Sequence, residues 1–125
     1  FVAYTGNHAG RSAHPANMQA NAFGLVNMLG NVREFCSDWY AEDSYNQYSS
    51  DEVIIDPTGP VSGSERVIRG GSFKSTIADV RAAARDHTST KAWLVTDPQI
   101  PKSVWWYSDV TDVGFRVVLE YEGAQ

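Results

Sequence analysis

Apolar residues in this chain come in short clusters, and the sharpest pattern lies near its end. Val113, Phe115, Val117, Leu119 and Tyr121 fall on one face at period two, with Arg116 and Glu120 on the other. Successive strand side chains point to opposite faces, so this alternation predicts a half-buried antiparallel strand. From Val32 to Tyr40 the aromatic and β-branched content predicts another strand. Val67-Ile68-Arg69 predicts a third, short one that stops at Gly70-Gly71. Residues 78–85 carry two opposed signals. Three consecutive alanines favour helix by propensity, whereas Val80, Ala82 and Ala84 alternate with Arg81 and Arg85. The alternation is taken as decisive, and a strand is expected there.

Between these pieces the pattern is lost. Residues 1–22 read as a loop-rich lead-in, with Gly6-Asn7, Gly10 and His14-Pro15 as turn signals. Residues 41–66 are polar and hold Asp56-Pro57, Gly59-Pro60 and Ser62-Gly63, so a long surface excursion is expected. Ten Gly and five Pro punctuate the chain and leave few uninterrupted stretches for a helical bundle.

Composition narrows the picture. A length of 125 residues fits one domain. With 42% hydrophobic and 20% charged residues it reads as globular rather than disordered. Aromatic residues supply 12% of the chain, and large rings let a short, helix-poor chain build a core. A formal net charge of −5 argues against a nucleic-acid partner, which needs a basic face. One cysteine excludes an internal disulfide and a cysteine-based zinc site. No apolar run approaches the ~18 residues of a membrane-spanning helix, and no signal peptide opens the sequence. Phe1 is not an initiator methionine, so the chain is expected to be a piece of something larger.

Three segments carry a resemblance. They are Asn21-Ala-Phe-Gly-Leu-Val-Asn-Met-Leu-Gly-Asn-Val-Arg-Glu-Phe-Cys-Ser-Asp-Trp-Tyr40, then Arg66-Val-Ile-Arg-Gly-Gly-Ser-Phe73 with Arg81-Ala-Ala-Ala-Arg85, and finally Asp112-Val-Gly-Phe-Arg-Val-Val118. In this order they resemble the formylglycine-generating enzyme family, also called sulfatase-modifying-factor domains. The resemblance implies an α+β fold, irregular and loop-rich, of C-type-lectin-like kind with short antiparallel strands. It implies also that residues 1–125 match the C-terminal portion of one such domain.

Asn27-x-x-Gly30-x-Val32-x-Glu34 reads by itself as turn-forming residues. The resemblance implies a second role, a calcium site in which Asn27 and Glu34 give side-chain oxygens and Gly30 and Val32 give backbone carbonyls. Calcium takes six to eight hard oxygen donors, and such a loop can supply several of them.

Ser72, after the paired glycines, corresponds to a position in the family's catalytic pocket, a few residues before two reactive cysteines that bind copper. Here the chain continues Phe73-Lys-Ser75-Thr-Ile-Ala-Asp-Val80 with no cysteine, and Ser75 stands about where the first would be. A hydroxyl is a hard donor and does not replace a thiolate toward Cu(I). Copper is therefore not expected, and Cys36 reads as a buried, inert thiol. Other branches of the family use non-haem iron held by histidines. His8, His14 and His87 lack ligand-like spacing and read as surface or loop residues.

Arg85 and Arg116 complete the candidate pocket with Ser72, Ser75 and Trp106. Arg116 is either the brace of the last strand through an ion pair or a pocket cation facing an anionic or peptide ligand. Adjacent rings in Trp105-Trp106-Tyr107 point to opposite sides of an extended chain, so at most part of the trio joins one core. Core packing is the expectation, and a ring stacking on a sugar or peptide is the alternative. No serine elbow or phosphate-cradling glycine loop supports a hydrolase or nucleotide-binding reading. The expectation is a calcium-binding, non-oxidase module of an exported bacterial protein, periplasmic or at the cell surface, with a protein or glycan ligand. The alternative is an oxidoreductase of the same family whose catalytic residues lie on another segment.

Overall fold

Val67 and Ile68 are neighbours in the sequence, and both are buried. Because adjacent strand residues face opposite ways, both faces of their strand are covered. That strand is central. In the computed structural model, which describes residues 2–48, 53–95 and 110–119, β1 (Arg33–Trp39), β2 (Arg66–Arg69), β3 (Arg85–His87) and β4 (Val113–Gly114) form one sheet in the order β3-β2-β1-β4. β2 runs antiparallel to both neighbours, pairing Glu34 with Arg69 on one side and Arg69 with Arg85 on the other. A register irregularity interrupts the β1–β2 ladder between Phe35 and Trp39.

Among the described residues Ala3, Val67, Ile68, Phe73 and Val80 are the buried apolar ones. The core they form is small and lies where the lead-in and the segment after β2 fold back on the sheet. The described residues of the excursion from residue 41 form no strand or helix up to β2, and Val53, Ile55 and Val61 along it are exposed.

Two expected strands differ. Residues 78–84 form successive turns, and β3 begins only at Arg85. Local polar bonds decide this. The Asp79 carboxylate accepts from the Thr76 hydroxyl at 2.6 Å, Arg81 Nε donates to the Ala78 carbonyl, and Ala84 N–H donates to the Arg81 carbonyl. Of the three residues on the supposed inner face, only Val80 is buried.

The last strand is shorter and oppositely directed. Only Val113–Gly114 pair, and they run parallel to β1, with Val113 opposite Arg33. Phe115, Val117 and Leu119 are 78%, 84% and 92% exposed, so the alternating face is not buried among the described residues. Glu120 and Tyr121 lie outside them. The Arg33 N–H bond to the Asp112 carbonyl fixes where β4 starts, and β4 is the edge of the sheet.

A six-residue helix, α1 (Thr90–Val95), follows β3 and was not anticipated. Its start is held by Glu65, whose carboxylate accepts from the Thr90 N–H and hydroxyl. No helix among the described residues is long and apolar enough to cross a membrane.

Candidate functional site

The loop that leads into β1 uses left-handed backbone at Asn27, Gly30 and Asn31, with φ of 56°, 74° and 66°. Gly30 is required there. A Cβ would run into the Ala3 carbonyl and stand 2.7 Å from the Val2 side chain. The loop is pinned by Gly30 N–H to the Gly70 carbonyl (2.6 Å) and Asn31 N–H to the Ala3 carbonyl (2.9 Å). The Asn31 side chain accepts from Ala13 N–H at 2.7 Å.

Glu34 and Arg116 form a two-point ion pair across this loop. Arg116 Nε and Nη2 donate to the two Glu34 oxygens at 3.0 and 2.7 Å, and Nη2 also reaches the Val26 carbonyl at 2.9 Å. These bonds to Glu34 push the Arg116 pKa up, against the effect of burial. Arg116 is thus committed to the loop next to Asn27. Asn27 Oδ1 is itself buried and has no hydrogen-bond partner among the described residues. A buried amide oxygen left unpaired costs roughly 1–3 kcal/mol.

Ser72 lies elsewhere, at the turn after β2, and is fully buried. Its hydroxyl donates to Asp112 Oδ2 at 2.9 Å and accepts from Lys74 N–H at 3.1 Å. Ser75 is its neighbour: the Ser72 N–H donates to Ser75 Oγ at 2.9 Å. Asp112 further meets Arg33 at 3.1 Å and Lys74 at 3.6 Å, while Arg33 also pairs with Asp86 at 2.8 Å. Burial would raise the Asp112 carboxyl, but the Ser72 hydrogen bond and the Arg33 and Lys74 charges bring it below its usual value. A carboxylate so stabilised is a weak base, so this arrangement positions the Ser72 hydroxyl without activating it.

Ser75 and Arg85 line one cleft of about 400 Å³ together with Arg33, Asp79 and Asp86. Of the five candidate pocket residues, Ser72, Ser75 and Arg85 are therefore grouped, and Arg116 is separate. Trp106, like Trp105 and Tyr107, lies outside the described residues. Asp112 was missed as a site residue, although it opens the third motif.

Cys36 is half-buried on β1 and lines a different cleft from Ser75. Burial raises its pKa, with Arg69 opposing and Asp38 and Glu34 adding to the rise, so the thiol is protonated near neutral pH. The histidines serve local structure. His14 Nδ1 accepts from Ala16 N–H at a short turn, and His87 stacks on Tyr40 with ring centroids 4.4 Å apart. Among the described residues no three His, Cys, Asp or Glu side chains converge on one point.

Residues 3–94 match the family model described as the sulfatase-modifying factor enzyme 1-like domain. The chain is 41% identical over 85 residues to the formylglycine-generating enzyme of Thermomonospora curvata, covering 65% of this chain and 28% of that protein. It is 45% identical over 73 residues to the serine/threonine-protein kinase pkn1 of Chlamydia caviae, covering 58% of this chain and 12% of that one. Among solved structures, Treponema denticola variable protein 1 superposes with a TM-score of 0.66 at 28% identity, over 92% of this chain and 34% of that one. The chain thus spans well under a third of either sequence relative.

Proposed function

Because the chain belongs to the sulfatase-modifying factor enzyme 1-like domain family, we propose that it is a non-catalytic member: a binding or structural module that holds calcium and lacks the copper–cysteine oxidase centre. The observation that carries the calcium part is Asn27 Oδ1, buried with no partner among the described residues at one of the four positions of the expected site. A hard cation satisfies such an oxygen. Asn27 and Glu34 would hold it through side chains and Gly30 and Val32 through carbonyls. The Arg116 fork on Glu34 does not forbid this, because an ionised carboxylate offers about four lone-pair sites. Calcium here supplies structural charge, and no chemistry is routed through it.

The non-oxidase part is supported within this chain. The family's cysteine pair would follow Ser72, in a stretch that the sequence covers; Ser75 stands about where the first would be, and the second has no equivalent. The name of the chlamydial kinase does not carry over, since the match spans 12% of that protein. A bacterial setting, with export to the periplasm or cell surface, belongs to the same proposal. The ligand of such a module is a protein or a glycan.

Two measurements on the purified chain test this reading. Calcium should raise the thermal midpoint, and Glu34→Ala or Asn27→Ala should abolish the rise. Incubation with a cysteine-containing sulfatase peptide, copper and oxygen should leave the cysteine unchanged by mass spectrometry. Formylglycine in that assay would establish the oxidoreductase alternative, and a midpoint indifferent to calcium would remove the metal.

A further inference from the structure

Register places two like charges face to face in the sheet. Arg69 of β2 and Arg85 of β3 are direct cross-strand partners, so their side chains leave the same face. Glu34, opposite Arg69 on β1, is taken by Arg116. Among the described residues neither Arg69 nor Arg85 has a carboxylate within ion-pair distance. Like charges directly opposite each other destabilise a strand pair, so among the described residues this row is short of one negative charge.

Both arginines line a cleft of about 330 Å³ whose floor includes Cys36 and Val67. That is at the lower end of small-ligand pockets, roughly 300–1,000 Å³. Arg85 is held in place by the rings of Tyr40 and Tyr45, at 4.9 and 4.7 Å from its guanidinium carbon, and by bonds to Ser44 Oγ and the Glu42 carbonyl. Arg69 gives one bond, from Nη2 to the Ala82 carbonyl at 2.8 Å. These bonds use only part of each guanidinium's donor set. Trp39, Tyr45, Tyr48 and Pro57 give the lining apolar and aromatic surface. Among the described residues Asp38 is the one acidic side chain on the lining, and its carboxylate accepts from the Ser37 hydroxyl.

We propose that this cleft binds a peptide carboxylate carried beside an apolar side chain, with Arg69 and Arg85 pairing the carboxylate. The rings and prolines take the apolar body, and Asp38 accepts a peptide N–H. Each guanidinium's planar fork matches a carboxylate's two oxygens, and two of them supply the charge. Apolar walls favour a peptide over a sugar acid, whose ring carries hydroxyls all round. The proposal deepens the binding-module reading and rests on it, while using a cleft distinct from the Asn27–Glu34 loop.

The test is an amide-resolved NMR titration of the full chain with N-acetylphenylalanine, its C-terminal amide, and N-acetylneuraminic acid as the sugar acid. N-acetylphenylalanine should shift residues of β1, β2 and residues 44–48 saturably, with affinity falling as salt is raised. The amide should bind at least about tenfold more weakly. Arg69→Gln and Tyr45→Ala should each weaken the response, and their own spectra report whether they are folded. Equal binding of the amide, tighter binding of N-acetylneuraminic acid, or no saturable response would overturn it. Failure here with a calcium-dependent midpoint intact removes this ligand alone. Formylglycine in the oxidation assay removes the module reading instead.

Discussion

Asp112 shows how much a single side chain can organise at this scale. One buried carboxylate receives the Ser72 hydroxyl, Arg33 and Lys74, and together they hold its pKa down. A carboxylate with a folded-state pKa below its unfolded value contributes stability that is present above the unfolded value, about 4. That contribution is lost as pH falls through the folded value. Glu65 acts in the same sense. Burial would raise it, but hydrogen bonds from Thr88 and Thr90 and the nearby His87 bring it down. Stability should therefore decline on acidification below about pH 4. Asp112→Asn should cost about 2–3 kcal/mol at neutral pH and flatten that decline, as measured by urea unfolding across pH. Ser72 was visible in its motif, whereas its partner stands forty positions away in sequence and only folding reveals the contact.

At the level of elements, chain direction and side-chain bonds overrode pattern. The alternation over residues 78–85 was real, but turns closed by Asp79 and Arg81 satisfied the backbone first. The alternation after Val113 was also real, yet β4 pairs with β1 for two residues only, so the remaining apolar positions face outward. Periodicity reports which residues share a face and says nothing of what covers it. The Glu34–Arg116 pair is the tie that keeps β4 against the loop before β1. Arg116→Ala should cost about 1–2 kcal/mol, leaving a part-buried carboxylate unpaired, and should speed hydrogen exchange at Val113 and Gly114 more than in β2. Gly30→Ala should cost about 2 kcal/mol or more, from left-handed backbone and the clash with Ala3. Val61→Ser, at a fully exposed position, should lie within about 0.5 kcal/mol of the parent.

The chain as a whole has a loop-rich α+β fold of C-type-lectin-like kind, and its described residues hold a four-stranded sheet and a small core around Ile68. It spans a minor part of the relatives it matches, so their activities are not its own by inheritance. The sequence by itself determined the family and fold class, because both rest on local motifs and glycine-bearing turns that need no knowledge of partners. It located β1 and β2 closely, since aromatic and β-branched runs bounded by Gly70-Gly71 admit few alternatives. It marked Asn27, Glu34, Ser72, Ser75, Arg85 and Arg116 as chemistry-bearing residues. Only the tertiary structure decided how they are divided. Arg116 joined Glu34 of β1, Asp112 joined Ser72, and strand register set Arg85 against Arg69. Those pairings bridge 16 to 82 positions of sequence separation, by subtraction of residue numbers (85 − 69 and 116 − 34). Pairing across such gaps depends on which strands become neighbours, and in which direction they run, which no local pattern encodes.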